Sequence, residues 1–136
     1  MYCNGNKLIV SIQSWSQTEC VPLSTVNEQN ERRVITTLGI VMSWTDARTA
    51  LNGTRFQDIK LRDETAMLNL RVWGELGFDE ELLKTHPVIM VHSGLVRKFN
   101  QNIELTTQAR TVLEVNPPTM KKRIEELKKL LPAEYM

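Results

Sequence analysis

Residues 66–73 read Ala-Met-Leu-Asn-Leu-Arg-Val-Trp, and this alternation constrains the fold more than any other feature. Successive side chains on a strand point to opposite faces. Ala66, Leu68, Leu70 and Val72 therefore share one face, and Met67, Asn69, Arg71 and Trp73 share the other. Residues 55–62 repeat the pattern, with Ile59 and Leu61 opposed to Phe56, Asp58, Lys60 and Arg62. Asp63-Glu64-Thr65 between them is a short polar turn, so the two segments read as a hairpin with one apolar and one polar face.

Three more strands are expected. Residues 34–45 are β-branched and interrupted by Gly39, where a bend or bulge is expected. Residues 88–96 follow Pro87 and are apolar, and residues 102–113 carry Ile103, Leu105, Thr106, Thr107, Thr111 and Val112. A short helix is expected over 79–84. The order β-β-β-α-β-β is that of the OB-fold, a five-stranded Greek-key barrel with a helix between its third and fourth strands. The expected architecture is thus all-β, with a C-terminal amphipathic helix added. That helix, over 119–131, follows Asn116-Pro117-Pro118, with Thr119 as its expected cap and Pro132 as its stop. Met120, Ile124, Leu127 and Leu131 form its apolar stripe, expected to cover either this barrel or a partner subunit. The division is 1–32 for an extra strand (residues 8–12) and a polar linker (24–31), 33–116 for the barrel, and 117–136 for the helix.

The chain has 136 residues and 41% hydrophobic content, enough for one domain with a core of its own. Its net charge is +1, but charge distribution matters more than the total for a polyanionic partner. No run approaches a membrane span and the N-terminus lacks a signal peptide's apolar stretch, so a soluble intracellular protein is expected. Cys3 and Cys20 form no metal-ligand set, and reduced thiols are expected. Phosphate-loop, dinucleotide, zinc-protease and nucleophile-elbow motifs are absent from the sequence. His86 and His92 read as surface or satisfied core residues, and Asp63-Glu64 and Glu80-Glu81 as solvated turn and helix-start charges. No enzyme activity, cofactor or metal is expected.

Two constellations remain. Lys60, Arg62, Arg71 and Trp73 share the outward face of the hairpin. Cations neutralise phosphates and an aromatic face stacks a base whatever its identity, so the set suits a single strand; it equally suits a solvated sheet face with a rim tryptophan. Arg97-Lys98-Phe99-Asn100-Gln101-Asn102 reads as a polar turn between the last two strands. Phe99 there is expected to be exposed rather than folded back as a barrel cap. In an OB barrel this loop and the one at 46–54, with Arg48 and Asn52-Gly53, close over a bound strand.

Gly39-Ile40-Val41, Trp44-Thr45-Asp46-Ala47, Asp58-Ile59-Lys60-Leu61-Arg62-Asp63 and Leu70-Arg71-Val72-Trp73-Gly74-Glu75 resemble the large subunit of replication protein A. The similarity is to the second of its central DNA-binding OB domains. It continues through Pro87-Val88-Ile89, residues 94–99 and Val115-Asn116-Pro117, covering about residues 33–130. The resemblance implies single-stranded DNA binding in replication, repair or recombination, a nuclear location, and base stacking by Trp73 and Phe99. Lys60, Arg62, Arg71, Arg97 and Lys98 are the expected phosphate contacts. A paralogue such as the meiosis-specific OB protein related to that subunit fits equally, as does a piece of a larger protein. The loop between the first two strands is shorter than in the family, so Arg48 and Arg55 rest on pattern alone. The rival expectation is a protein-interaction OB domain that docks other OB-fold subunits through its C-terminal helix; a nuclease, the third, lacks a carboxylate cluster.

Overall fold

The computed structural model describes residues 20–74 and 77–132. Strands β1 (Cys20–Val21), β2 (Val34–Trp44), β3 (Arg48–Thr49), β4 (Arg55–Arg62) and β5 (Met67–Trp73) precede a one-turn helix, α1 (Glu80–Leu83). Strands β6 (Val88–Phe99), β7 (Asn102–Thr106) and β8 (Val112–Val115) and helix α2 (Lys121–Lys128) follow. The neighbour order β2-β4-β5-β7-β6 closes on itself because β2 also pairs with β6. Strands β5 and β7 run parallel; the other pairs of the ring are antiparallel. This is the five-stranded barrel expected from the sequence. The extra strand expected at 8–12 lies outside the described residues.

Strand β2 makes the closure possible. Its residues from Val34 to Ile40 pair with β6, and those from Ile40 to Trp44 pair with β4. Gly39 sits at the changeover. A Cβ there would lie 2.9 Å from the Leu61 Cβ and 3.0 Å from the Leu23 Cδ1, so a bare backbone lets two layers approach. The register shifts flank this glycine, between Ile35 and Thr37 and between Val41 and Ser43, rather than falling on it.

Alternation fills the barrel with Ile59, Leu61, Leu68, Leu70, Val72, Val91, Val96 and Leu105. Leu83 from α1 and Leu23 from the N-terminal segment, both fully buried, join the same cluster. The polar linker is more ordered than expected: two 3-10 turns, Leu23–Thr25 and Glu28–Asn30, hold it. Asp63 ties it down. Its Oδ2 accepts from the Leu23 N–H at 2.9 Å, and its Oδ1 accepts from Thr65 N–H, Thr65 Oγ1 and Ala66 N–H at 2.6–3.0 Å. Asp63 is therefore a buried organiser of the turn, not the solvated charge expected. Cys20 is in disulfide linkage, which corrects the reduced-thiol expectation there.

Two boundaries differ from expectation. Residues 102–113 are two strands: β7 pairs with the C-terminal part of β6, and β8 with the N-terminal part. The break is fixed by Thr111, whose Oγ1 donates to the Ser93 carbonyl and accepts from the Gln108 N–H. The C-terminal helix begins with a 3-10 turn, Pro118–Met120, and has no side-chain cap, so Thr119 does not serve as one.

The outer face formed by Leu38, Ile40, Val88 and Met90 is covered by α2. Leu127 is fully buried there, and Met120, Ile124, Leu130 and Leu131 pack around it. Of the two coverings open to the stripe, the structure shows this barrel. Arg123 adds a two-pronged ion pair to Glu64 in the β4–β5 turn, at 2.6 and 2.7 Å. Among the described residues, no helix is long and apolar enough to cross a membrane.

Candidate nucleic-acid interface

The opposite side of the barrel is left open. A groove runs over β4, β5 and β7 in two adjoining halves, of about 490 Å³ and 550 Å³. Arg71 and Glu104 line both. The first half adds Trp44, Asp58, Lys60 and Asn69. The second adds Phe56, Trp73, Phe99 and Arg97, with the β3–β4 hairpin tip over it, where Leu51 is fully exposed.

Period two delivers this surface. Phe56 and Trp73 are directly opposed in the β4–β5 ladder, with ring centroids 5.2 Å apart. The Arg71 guanidinium lies 4.2 Å from the centre of the Phe56 ring, 4.7 Å from that of Phe99 and 5.8 Å from that of Trp73. Three aromatics from three strands thus surround one cation, a favourable arrangement with the ring quadrupoles. Trp73 is anchored by its indole N–H, which donates to Thr106 Oγ1 at 2.9 Å. Phe99 is 38% exposed, so a ring face remains open to solvent.

Arg71 is also committed electrostatically. Its Nε and Nη2 donate to the two Asp58 oxygens at 2.9 and 3.0 Å. Burial alone would raise the Asp58 pKa; the hydrogen bonds from Arg71 and Asn69 outweigh it and hold the carboxyl below its usual range. Arg71 is shifted upward, chiefly by the same hydrogen bond. Two of the three guanidinium nitrogens, Nε and Nη2, are thus engaged with Asp58.

The remaining expected cations divide. Lys60 and Arg97 line the groove and make no ion pair among the described residues. Arg62 sits at the far end of β4 and lines neither half. Lys98 alternates away from Arg97 and Phe99 on β6 and also lines neither half. The segment holding it is strand rather than turn. Only Asn100 and Gln101 turn, both at positive φ, because β6 continues to Phe99 and pairs it with Asn102. Arg48 is exposed on β3, near enough to Asp58 to help lower its pKa; Arg55 is exposed opposite Thr49.

Four residues of the site carried no mark in the sequence as binding groups. Phe56 was legible as sharing the face of Lys60, but its pairing with Trp73 needs the hairpin register. Asp58, Asn69 and Glu104 form the floor: the Asn69 amide donates to Asp58 Oδ1 and to Glu104 Oε1, each at 3.2 Å. Glu104 reaches that floor only through the parallel β5–β7 pairing, which no local pattern announces. Outside the groove, the His86 Nδ1–H donates to the Val41 carbonyl and His92 donates to Glu114. No group of three or more His, Cys, Asp or Glu among the described residues is placed to hold a metal.

Barrel topology and the covering helices define an OB-fold domain, and solved structures agree. The chain is similar to the OB domain of Ta0387 from Thermoplasma acidophilum (TM-score 0.55, 14% identity, covering 71% of this chain and 85% of that one). It is also similar to a replication protein A heterotrimer bound to ssDNA (0.67, 16%, 82% and 28%) and to a Pot1–ssDNA complex (0.65, 14%, 80% and 82%). The chain therefore matches only 28% of the replication protein A chain. No family model and no curated sequence matches the chain.

Proposed function

We propose that this domain binds single-stranded DNA along the open groove, as a non-catalytic module of replication, repair or recombination in the nucleus. The observation that carries the reading is the set of three aromatics gathered around Arg71 at the rim of an uncovered groove. Stacking platforms flanked by unpaired cations are what a flexible polyanion with flat bases requires. Trp73 and Phe99 stack bases, Phe56 and Arg71 hold the rings in place, and Lys60 and Arg97 neutralise phosphates. The similar folds in the ssDNA-bound replication protein A and Pot1 structures support the choice of ligand. The sequence motifs support membership of the replication protein A large-subunit family or its meiotic paralogue.

The rival reading, docking of other OB-fold subunits through the C-terminal helix, loses its main support because the stripe of α2 is spent on this barrel. The direct test is a titration of labelled oligo-thymidine by fluorescence anisotropy at two or more salt concentrations. Saturable binding that weakens with salt is expected. No binding at low salt by the folded domain would overturn the reading.

A further inference from the structure

The groove floor is unusual for a surface that meets a polyanion. Most of its donors are engaged inside the protein: the Trp73 indole N–H by Thr106, Nε and Nη2 of Arg71 by Asp58, and the Asn69 amide N–H groups by Asp58 and Glu104. One acceptor, on Glu104, is not. Glu104 is 7% exposed. Its Oε1 accepts from Asn69, and its charge also acts on Arg71; its Oε2 makes no hydrogen bond or ion pair among the described residues. No buried side-chain oxygen among the described residues lacks a partner, so Oε2 must open onto the groove that Glu104 lines. Arg97 stands opposite Glu104 in the β6–β7 ladder, yet the two make no ion pair. An otherwise buried carboxylate is thus held by one amide, within the field of Arg71, and presents an open oxygen beside the aromatic cluster.

We propose that Glu104 reads the base edge at this point of the groove and selects guanine. The inference rests on the single-strand reading above and adds a specificity that stacking cannot supply. A carboxylate repels phosphate, so the group facing Glu104 must be a base. A carboxylate offers only acceptors, and its open Oε2, with two lone pairs, is matched by two adjacent donors. Guanine presents N1–H and the 2-amino group side by side. Adenine and cytosine each place an acceptor nitrogen beside their amino group, and thymine flanks its single N–H with two carbonyls. A guanine whose ring stacks in the Trp73–Phe99 half meets Glu104 with both donors, while Arg97 across the ladder is left to the phosphate.

The test compares a short all-thymidine oligonucleotide with one in which alternate thymidines are guanosine, and with the same one carrying inosine, which lacks the 2-amino group. Anisotropy titration of the whole chain should show the guanosine oligonucleotide binding about tenfold tighter than thymidine, the low end of what a two-hydrogen-bond base contact gives. Inosine should lose most of that gain. Glu104→Gln keeps the shape but replaces one acceptor with a donor, and it should erase the preference for guanosine over thymidine and inosine, whatever it does to overall affinity. Equal affinity for guanosine and thymidine in the wild type, full retention of the gain by inosine, or a preference that survives E104Q would each overturn the proposal. The inosine series decides the matter even if the variant does not fold. Failure to bind any oligonucleotide would instead remove the reading on which the inference rests.

Discussion

The barrel has two outer faces of opposite fate. One, built from Leu38, Ile40, Val88 and Met90, is apolar and is covered by α2. The other, built from Phe56, Asp58, Asn69, Arg71, Trp73 and Glu104, joins most of its polar atoms to one another and is left uncovered. An apolar face must be buried to contribute stability. A face of linked polar and aromatic groups tolerates solvent, so it can stay open to a ligand. On the proposed function, the difference leaves stability to the helix side and binding to the groove side, and it can be broken by experiment.

The largest effect on stability is expected on the covered side. Leu127 is fully buried between α2 and the barrel, and Leu127→Ala should cost about 2–5 kcal/mol, the range for such truncations. Denaturant unfolding measures the loss. Oligonucleotide affinity, measured where the variant is still folded, should stay at the parent's level; a parallel fall in affinity would mean that the two faces are not separable.

Next in size is a contrast within the groove. Arg71→Met leaves the Asp58 carboxylate without its cation in a mostly buried setting, with side-chain exposures of 13% and 17% for the pair. It should lower stability by about 1–3 kcal/mol and loosen the aromatic cluster, so affinity falls. The salt dependence should barely move, because Asp58 already neutralises that charge. Lys60→Ala should do the reverse. Stability holds, and the slope of log affinity against log salt flattens by about 0.7, the release of one counterion equivalent from a single strand. Identical salt slopes for the two variants would dissolve the distinction.

The smallest expected effect lies in the latch between the faces. The hydrogen bond from Arg123 holds the Glu64 pKa down from 4.5 to about 2. A lowered carboxyl pKa stabilises the fold above the unfolded value and ceases to do so as pH falls through the folded one. The latch therefore contributes fully above about pH 5 and is lost progressively as pH falls through about 2. Glu64 is 46% exposed, so solvent screening limits the contribution to less than about 1 kcal/mol. Glu64→Gln should lower the unfolding free energy by that amount at neutral pH, with the gap to the parent closing toward pH 2. A gap independent of pH would show that the ion pair is not its source.

How much of this was legible in the sequence follows from the range of each interaction. Strand alternation is local, and it correctly set the inward and outward residues of β4 and β5, hence the shared face of Lys60, Arg71 and Trp73. It treated Lys60 and Arg71 alike, because it cannot see that Asp58, directly opposite in the ladder, pairs with Arg71. Phe99 was expected in a turn, since Asn100, Gln101 and Asn102 follow it. Cross-strand pairing carries β6 to that residue and brings the ring to Arg71. The burial of Asp63 depends on Leu23, 40 residues earlier, and the place of Glu104 depends on a parallel pairing. Long-range partners of single polar residues leave no periodic trace.

The central claim is that the open face binds single-stranded DNA through its aromatics. It is tested most directly by the Trp73→Ala/Phe99→Ala double variant, measured by oligo-thymidine anisotropy beside the parent, with folding of each checked by its unfolding transition. Stacking is worth about 1–3 kcal/mol per base, so the folded double variant should bind roughly a hundredfold more weakly or worse. A folded double variant that binds as tightly as the parent would contradict the account and make the two rings structural.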